Sequence, residues 1–214
     1  MTTGLDGASP AAIATGVERD GERGPATARD RAKADRRAAL LRAAAELFAE
    51  RGFARVSIDE LGAAAGVSGP AVYRHFASKQ AVLAALLIDA SEGLLTGGRA
   101  VVEAEPDAAA ALARLVAFHV DFALANADVI RVQDHDLDSL TDDGRHAVRA
   151  LQREYVELWV DVLARVRPGE PRDALRTRAH ATFGLINSTP HSSRAGARAA
   201  RSILESMALA ALTS

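Results

Sequence analysis

The chain has 214 residues, 26 basic and 28 acidic side chains, a net charge of −2 and no cysteine. Its length allows one good core or a small domain joined to a larger one, and its 49% apolar content excludes a disordered chain. The lack of cysteine excludes disulfides, thiolate metal sites, Fe–S clusters and a thiol nucleophile, and fits a cytoplasmic location.

Alanine supplies 48 residues and arginine 24 of the 26 basic ones, so strong helix formers dominate and an all-α chain is expected. Residues 1–30 are rich in Gly, Ala, Thr and Pro, lack a period, and predict a disordered tail. No basic start with a following apolar stretch marks a signal peptide there. Leu40, Ala44, Leu47 and Phe48 then form one helical stripe, ended by Gly52. Ser57-Ile58-Asp59-Glu60 is a capping box, and the helix it opens runs through Leu61 to Ala65 and stops at Gly66. Ser68 caps a short helix from Pro70 to about Phe76, and Ser78 caps a longer one carrying Val82, Leu83, Leu86 and Leu87. The longest apolar run, Ala81–Ile88, is far short of the ~20 residues that span a bilayer, so no membrane partner is expected.

Further helices follow. One opens at Asp107 with Leu112, Leu115, Phe118, His119 and Phe122, and a short one spans about Ala127–Val132. A long one starts at Thr141 or Asp142 and carries Tyr155 and Trp159 until Pro168-Gly169 breaks it. The last two run from about Arg172 through Phe183 and Ile186, and from about Ala195 through Ile203, Met207 and Leu212, with Pro190 between them.

The charge is unevenly spread: net −3 over residues 1–22, +5 over 23–79 and −4 over 80–214. A basic segment ahead of an acidic body predicts an element that meets a polyanion joined to one that does not. Within the basic segment, Ser57–Phe76 has the layout of a helix-turn-helix, with Ile58, Leu61, Val67 and Val72 as its joint. The second helix of such a unit lies in the DNA major groove, and helix N-termini attract phosphate.

At these residues the chain resembles the TetR/AcrR family of transcriptional regulators. The resemblance lies in Ala44-x-x-Leu47-Phe48-x-x-x-Gly52-Phe53, in Ser57-Ile58-x-x-Leu61-Gly62-x-x-Ala65-Gly66-Val67-Ser68, and in Ala71-Val72-Tyr73-Arg74-His75-Phe76-x-Ser78-Lys79. It implies an all-α fold: a three-helix helix-turn-helix head over residues 31–80, and a larger helical ligand-binding and dimerisation body over 81–214. It also implies DNA contacts at Arg37, Ser57, Ser68, Gly69, Pro70, Ala71, Tyr73, Arg74, His75 and Lys79, with Phe76 buried to lock the head. Gly69 departs from relatives that carry a longer side chain there, and Gly62 from those with Ala. The basic stretch Arg29, Arg31, Lys33, Arg36 and Arg37 is either a flexible arm reaching an adjacent groove or a solvated tail.

The body carries no motif of its own. Phe118, Phe122, Tyr155, Trp159 and Phe183 hold five of the nine aromatics and line either an apolar pocket or plain core, with His119 or Asn187 as polar fixers. A small apolar effector suits such a pocket, and an acyl coenzyme A would draw on Arg131, Arg149 or Arg153 at its mouth. A homodimer face is implied on the last two helices at Phe183, Ile186, Ile203 and Met207, with intramolecular core as the other reading of that stripe. The partners implied are a palindromic double-stranded operator, a small effector and a second copy of the chain, for a ligand-responsive repressor. A constitutive DNA-binding co-regulator and an enzyme on a helical body are the competing readings.

No cofactor, metal site or catalytic constellation is expected. Asp134, Asp136 and Asp138 lack the glycine and glutamate of a calcium loop and read as a solvated connection, and His119, His135 and His180 have no metal-ligand spacing. No P-loop, dinucleotide fingerprint or nucleophile elbow occurs.

Overall fold

The computed structural model describes residues 27–188 and 197–214, and among them the chain is all-helical. Most of the expected tail, as well as Pro190 and the expected helix start near Ala195, lies outside the described residues.

Helix α1 (Ala28–Arg51) begins inside the expected tail. The reason is a capping box: Thr27 accepts from the Asp30 amide, and Asp30 reaches back to the Thr27 amide. The basic stretch Arg29–Arg37 is therefore helix and not a flexible arm. Gly52 closes α1 at φ +78. A single 3-10 turn (Phe53–Arg55) leads to α2 (Ile58–Ala64), opened by the Ser57–Glu60 box. Gly66 reverses the chain at φ +71 into α3, which is one helical turn (Gly69–Val72) followed by turn residues at 73–75 and is shorter than the spacing predicts.

Helix α4 (Lys79–Glu103) is the spine of the molecule. Its 25 residues extend about 37 Å at 1.5 Å per residue. Its first half gives Val82, Leu83, Leu86, Leu87 and Ala90 to a core shared with Leu40, Phe48, Phe53, Leu61 and Phe76. That core also takes Val129, Val132, Leu140 and Val148 from later in the chain, so its packing does not stop at residue 80. Its second half joins a larger core with α5 (Ala108–Ala125), α7 (Asp142–Val166), α8 (Arg172–Asn187) and α9 (Ala197–Thr213). Helix α6 (Ala127–Asp136) lies across α1 and α4 and joins the two cores.

By length and composition α4 and α5 are apolar enough to cross a membrane, although polar residues such as Asp89, Glu92, Arg114 and Asp121 interrupt their apolar runs. Here they are core helices: they bury Leu83, Leu87, Leu112, Leu115 and Val116 against their neighbours. Two adjacent glycines let α5 and α7 approach α4. A β-carbon at Gly97 would meet the Phe118 ring at 2.4 Å, and one at Gly98 would meet the Tyr155 ring at 2.8 Å.

Candidate nucleic-acid interface and effector cavity

The helix-turn-helix places its residues in three ways. Some face solvent: Ser68, Pro70, Arg74 and Tyr73, whose side chain is one of three large apolar ones left exposed among the described residues, at 58%. Ser68 occupies the N-cap position of α3, but its hydroxyl makes no capping bond, contrary to the expected cap. That hydroxyl is available to a partner outside the chain. Others are turned inward. Ala71 is buried at 6% exposure, so its methyl is not offered to a base edge as expected. Gly69 is also buried, under the Asp59 carboxylate: a β-carbon there would lie 1.9 Å from Asp59 Oδ1.

A third group already has partners within the chain. The Ser57 hydroxyl accepts from the Glu60 amide and donates to its carboxylate at 2.8 Å, so its proton is committed. Lys79 Nζ donates to the carbonyls of Phe53 (2.7 Å) and Val56 (2.8 Å) and sits 4.3 Å from the Phe53 ring centroid. The ammonium expected on a phosphate instead closes the turn before α2. Arg37 forms a two-point pair with Asp89 of α4 at 2.5 and 3.1 Å and lies over the Phe76 ring. The Asp89 carboxylate holds the Arg37 proton more tightly than usual. Arg37 thus ties α1 to α4.

The cations that remain converge from a direction the sequence reading left open. Burial lowers the pKa of His75, and Lys33, Arg36 and Arg74 together with Arg37 lower it further. Lys33, Arg36 and Arg74 form no salt bridge among the described residues, although Lys33 acts electrostatically on Asp30 one turn before it. The helical form of the α1 basic stretch brings Lys33 and Arg36 beside the end of α3. The result is a basic patch with exposed Tyr73 and a neutral His75 at its edge, a surface suited to phosphate.

The second site is a cavity of about 220 Å³ in the body, lined by Ser91, Leu94, His119, Gln133, Tyr155, Phe183 and Asn187, with Gln152 and His180 beside them. Of the expected pocket residues, His119, Tyr155, Phe183 and Asn187 meet here. Trp159 backs them, fully buried and edge-on to the His119 ring at 5.8 Å. Phe122 faces an adjoining lobe of about 30 Å³ with Val129 and Ile130. Phe118 is elsewhere, packed over Gly97. The expected mouth arginines are not in the lining: Arg131 pairs with Asp128, and Arg153 lines a separate groove with Arg99 between α4 and α7. Gln133, Gln152, Ser91 and His180 went unforeseen, because single polar residues on amphipathic helices carry no spacing signal.

His119 organises the wall. Its Nε2 is 3.3 Å from Asn187 Oδ1, an acceptor, so Nε2 carries the ring proton. Nδ1 then accepts from the Tyr155 hydroxyl at 3.1 Å. Burial drives the His119 pKa down to about 4, against the Asn187 bond that favours the charged form. Burial also pushes the Tyr155 hydroxyl up, so it stays protonated as the donor.

One helix joins the two sites. On α6, Gln133 lines the cavity, and three residues on Asp136 accepts a hydrogen bond at 3.2 Å from the Phe53 amide of the head. Of the acidic run expected to be solvated, Asp134 and Asp138 are exposed, whereas Asp136 is buried and forms a structural link.

On the expected dimer stripe, Ile203 and Met207 are exposed at 55% and 49%. Ile186 and Leu212 are fully buried, and Phe183 stacks on His119 at 4.8 Å. These three serve the body's interior and not a surface. Among the described residues no group of His, Asp and Glu side chains could hold a metal ion.

Residues 40–86 match the family described as "Bacterial regulatory proteins, tetR family", and residues 105–212 match "Tetracyclin repressor-like, C-terminal domain". The chain is 31% identical over 142 residues to the HTH-type transcriptional repressor KstR2 of Rhodococcus jostii, covering 65% of this chain and 70% of that protein. A TetR-family transcriptional regulator from Bordetella parapertussis superposes with a TM-score of 0.74 at 26% identity, over 82% of this chain and 93% of that one. The regulator FadR from Bacillus subtilis, in complex with stearoyl-CoA, superposes with a TM-score of 0.70 over 83% and 97% of the two chains. At 16% identity it shares the fold alone.

Proposed function

The chain belongs to the TetR family of bacterial regulatory proteins and is a DNA-binding transcriptional regulator; from that premise we propose that it works as a homodimeric repressor, released from a palindromic operator when a small molecule enters the body cavity. The observation that carries the release step is α6, which touches the cavity through Gln133 and the head through Asp136. An occupant that displaces α6 alters the seat of the Phe53 turn, and with it the head. Occupant and operator then favour different arrangements, and that differential affinity is the whole of the coupling. The exposed Ile203 and Met207 on α9 supply the apolar face for a second copy. Two heads would read half-sites centred about one or two DNA turns apart, ~34 Å per turn. The basic patch around His75 positions each head on phosphate, and Ser68 and Pro70 stand nearest the bases.

Selection from random duplexes by the full-length protein tests this reading. A two-fold symmetric site is expected. On it, Arg74→Ala lowers the slope of log affinity against log salt by about 0.9 per half-site contact. Tyr73→Ala weakens specific and non-specific duplexes alike. Recovery of no preferred site, or unchanged binding in both variants, contradicts the assignment.

A further inference from the structure

The cavity restricts its occupant by size, charge and wiring. The main volume of about 220 Å³ and the lobe of about 30 Å³ together fall below the ~300–1,000 Å³ of pockets for drug-sized ligands. One substituted ring matches this volume; a fused four-ring skeleton or a long acyl chain exceeds it. No Lys, Arg, Asp or Glu lines either part. His119, the one buried ionisable group in the wall besides Tyr155, is neutral at physiological pH. A charged occupant would lose its hydration with only the exposed His180 imidazole to offset it. The nearest arginines of α8 are already taken: Arg172 and Arg176 pair with Glu157, and Arg178 pairs with Glu170.

The hydrogen bonds inside the wall fix what remains for a ligand. The Tyr155 proton goes to His119, leaving the phenolic oxygen as an acceptor that the buried Trp159 N–H also approaches. The Ser91 proton goes to the Leu87 carbonyl at 2.7 Å, leaving a second acceptor. Asn187 spends its oxygen on His119, leaving its NH₂ as a donor. The Phe183 ring, stacked on His119 at 4.8 Å, lines the cavity beside them. The adjoining lobe is closed by Phe122, Val129 and Ile130 and admits only a small apolar group.

We propose that this cavity takes a neutral, single-ring aromatic ligand bearing one hydrogen-bond donor and one acceptor, with the chemistry of a primary aryl amide. The inference rests on the cavity being the effector site. The amide NH₂ donates to Tyr155 and Ser91, the amide carbonyl accepts from Asn187, and the ring lies on Phe183.

Benzamide and benzoate have nearly the same shape and differ in charge, so calorimetric titration of the full-length protein with each at pH 7.5 is the test, with isovaleryl-CoA as a third arm. Benzamide should bind once per chain, and benzoate at least tenfold more weakly. Tyr155→Phe should weaken benzamide at least fivefold. Ser91→Ala, whose lost bond is local to α4, should weaken it severalfold and serves if the tyrosine variant does not fold. No benzamide binding, tighter binding of benzoate or isovaleryl-CoA, or benzamide binding unchanged in both variants overturns the proposal. Release from DNA by isovaleryl-CoA but not by benzamide overturns the ligand class and leaves effector-driven release standing. Benzamide bound in the cavity without any change in DNA affinity supports the ligand class and removes the release mechanism.

Discussion

The head and the body use the same residue type to opposite ends. In the body, Arg172, Arg176, Arg178 and Arg201 are spent on Glu157, Asp161, Glu170, Asp121 and Glu205, and so fasten α8 to α7 and α9 to α5. In the head, Lys33, Arg36 and Arg74 form no salt bridge among the described residues and crowd around His75. A net charge of −2 over the chain therefore says little about partners. What decides is whether a cation has an internal acid. Arg37 and Lys79 sharpen the point, because they sit in the basic head and are nonetheless consumed by Asp89 and by backbone carbonyls.

If the body encloses a buried, uncharged histidine, it should be the half that acid breaks. Unfolded, His119 protonates near pH 6.5; folded, it does so only near 4. Between those values the unfolded chain holds the extra proton, so falling pH favours unfolding. Stability that is whole above about pH 6.5 should fall by roughly 3 kcal/mol as pH approaches 4, beyond what the surface carboxylates cost. Urea titrations at pH 7.5 and 4.5 measure this, against His119→Gln, which should lose most of the difference. An equal acid response in that variant would mean that the body is not what titrates.

The next largest effect tests whether Lys79 belongs to the fold or to the DNA. Two short bonds from an ammonium to carbonyls, and the stacked Phe53 ring, make it part of the head's architecture. Lys79→Met should lower stability by about 2 kcal/mol, seen as faster amide exchange around residues 53–57. Loss of DNA affinity at full stability would return Lys79 to the phosphate-contacting set.

The two halves also differ in how much of them was legible. The head was legible because its geometry is built from local rules: the capping box at Ser57, the N-cap at Ser78 and the stops at Gly52 and Gly66 each act over three or four residues. Which way its side chains point was not. Ala71 and Gly69 face inward for tertiary reasons, and Thr27–Asp30 extended α1 into a segment whose composition reads as tail. In the body, periodicity located the helices, and the aromatics with His119 and Asn187 marked half of the cavity. Gln133 and Gln152 stayed invisible because each is one polar residue on a helix, His180 stood out only beside His119 and His135 with no spacing that marks a pocket, and Asp136 was hidden because a buried acid in an acidic run looks solvated.

The smallest expected effect separates two glycines of the head that look alike in sequence. A β-carbon at Gly62 would lie 2.9 Å from the Val67 carbonyl oxygen, 3.0 Å from the Ser68 carbonyl carbon and 3.1 Å from the Gly69 nitrogen. All three are backbone atoms of the turn, so that turn must shift. The better helix propensity of alanine, worth about 0.8–1 kcal/mol, offsets only part of an overpacking cost of about 1–3. Gly62→Ala should therefore cost about 1 kcal/mol net and weaken DNA binding by moving α3. A β-carbon at Gly69 meets Asp59 Oδ1, the tip of an exposed side chain that can rotate away. Gly69→Ala should change stability by under about 0.5 kcal/mol, with DNA affinity altered no more than a few-fold. Denaturation midpoints and duplex titrations of the two variants decide it. The reverse ranking would mean that the Asp59 carboxylate is held over α3 for a purpose, and that the turn after α2 is more pliable than its packing implies.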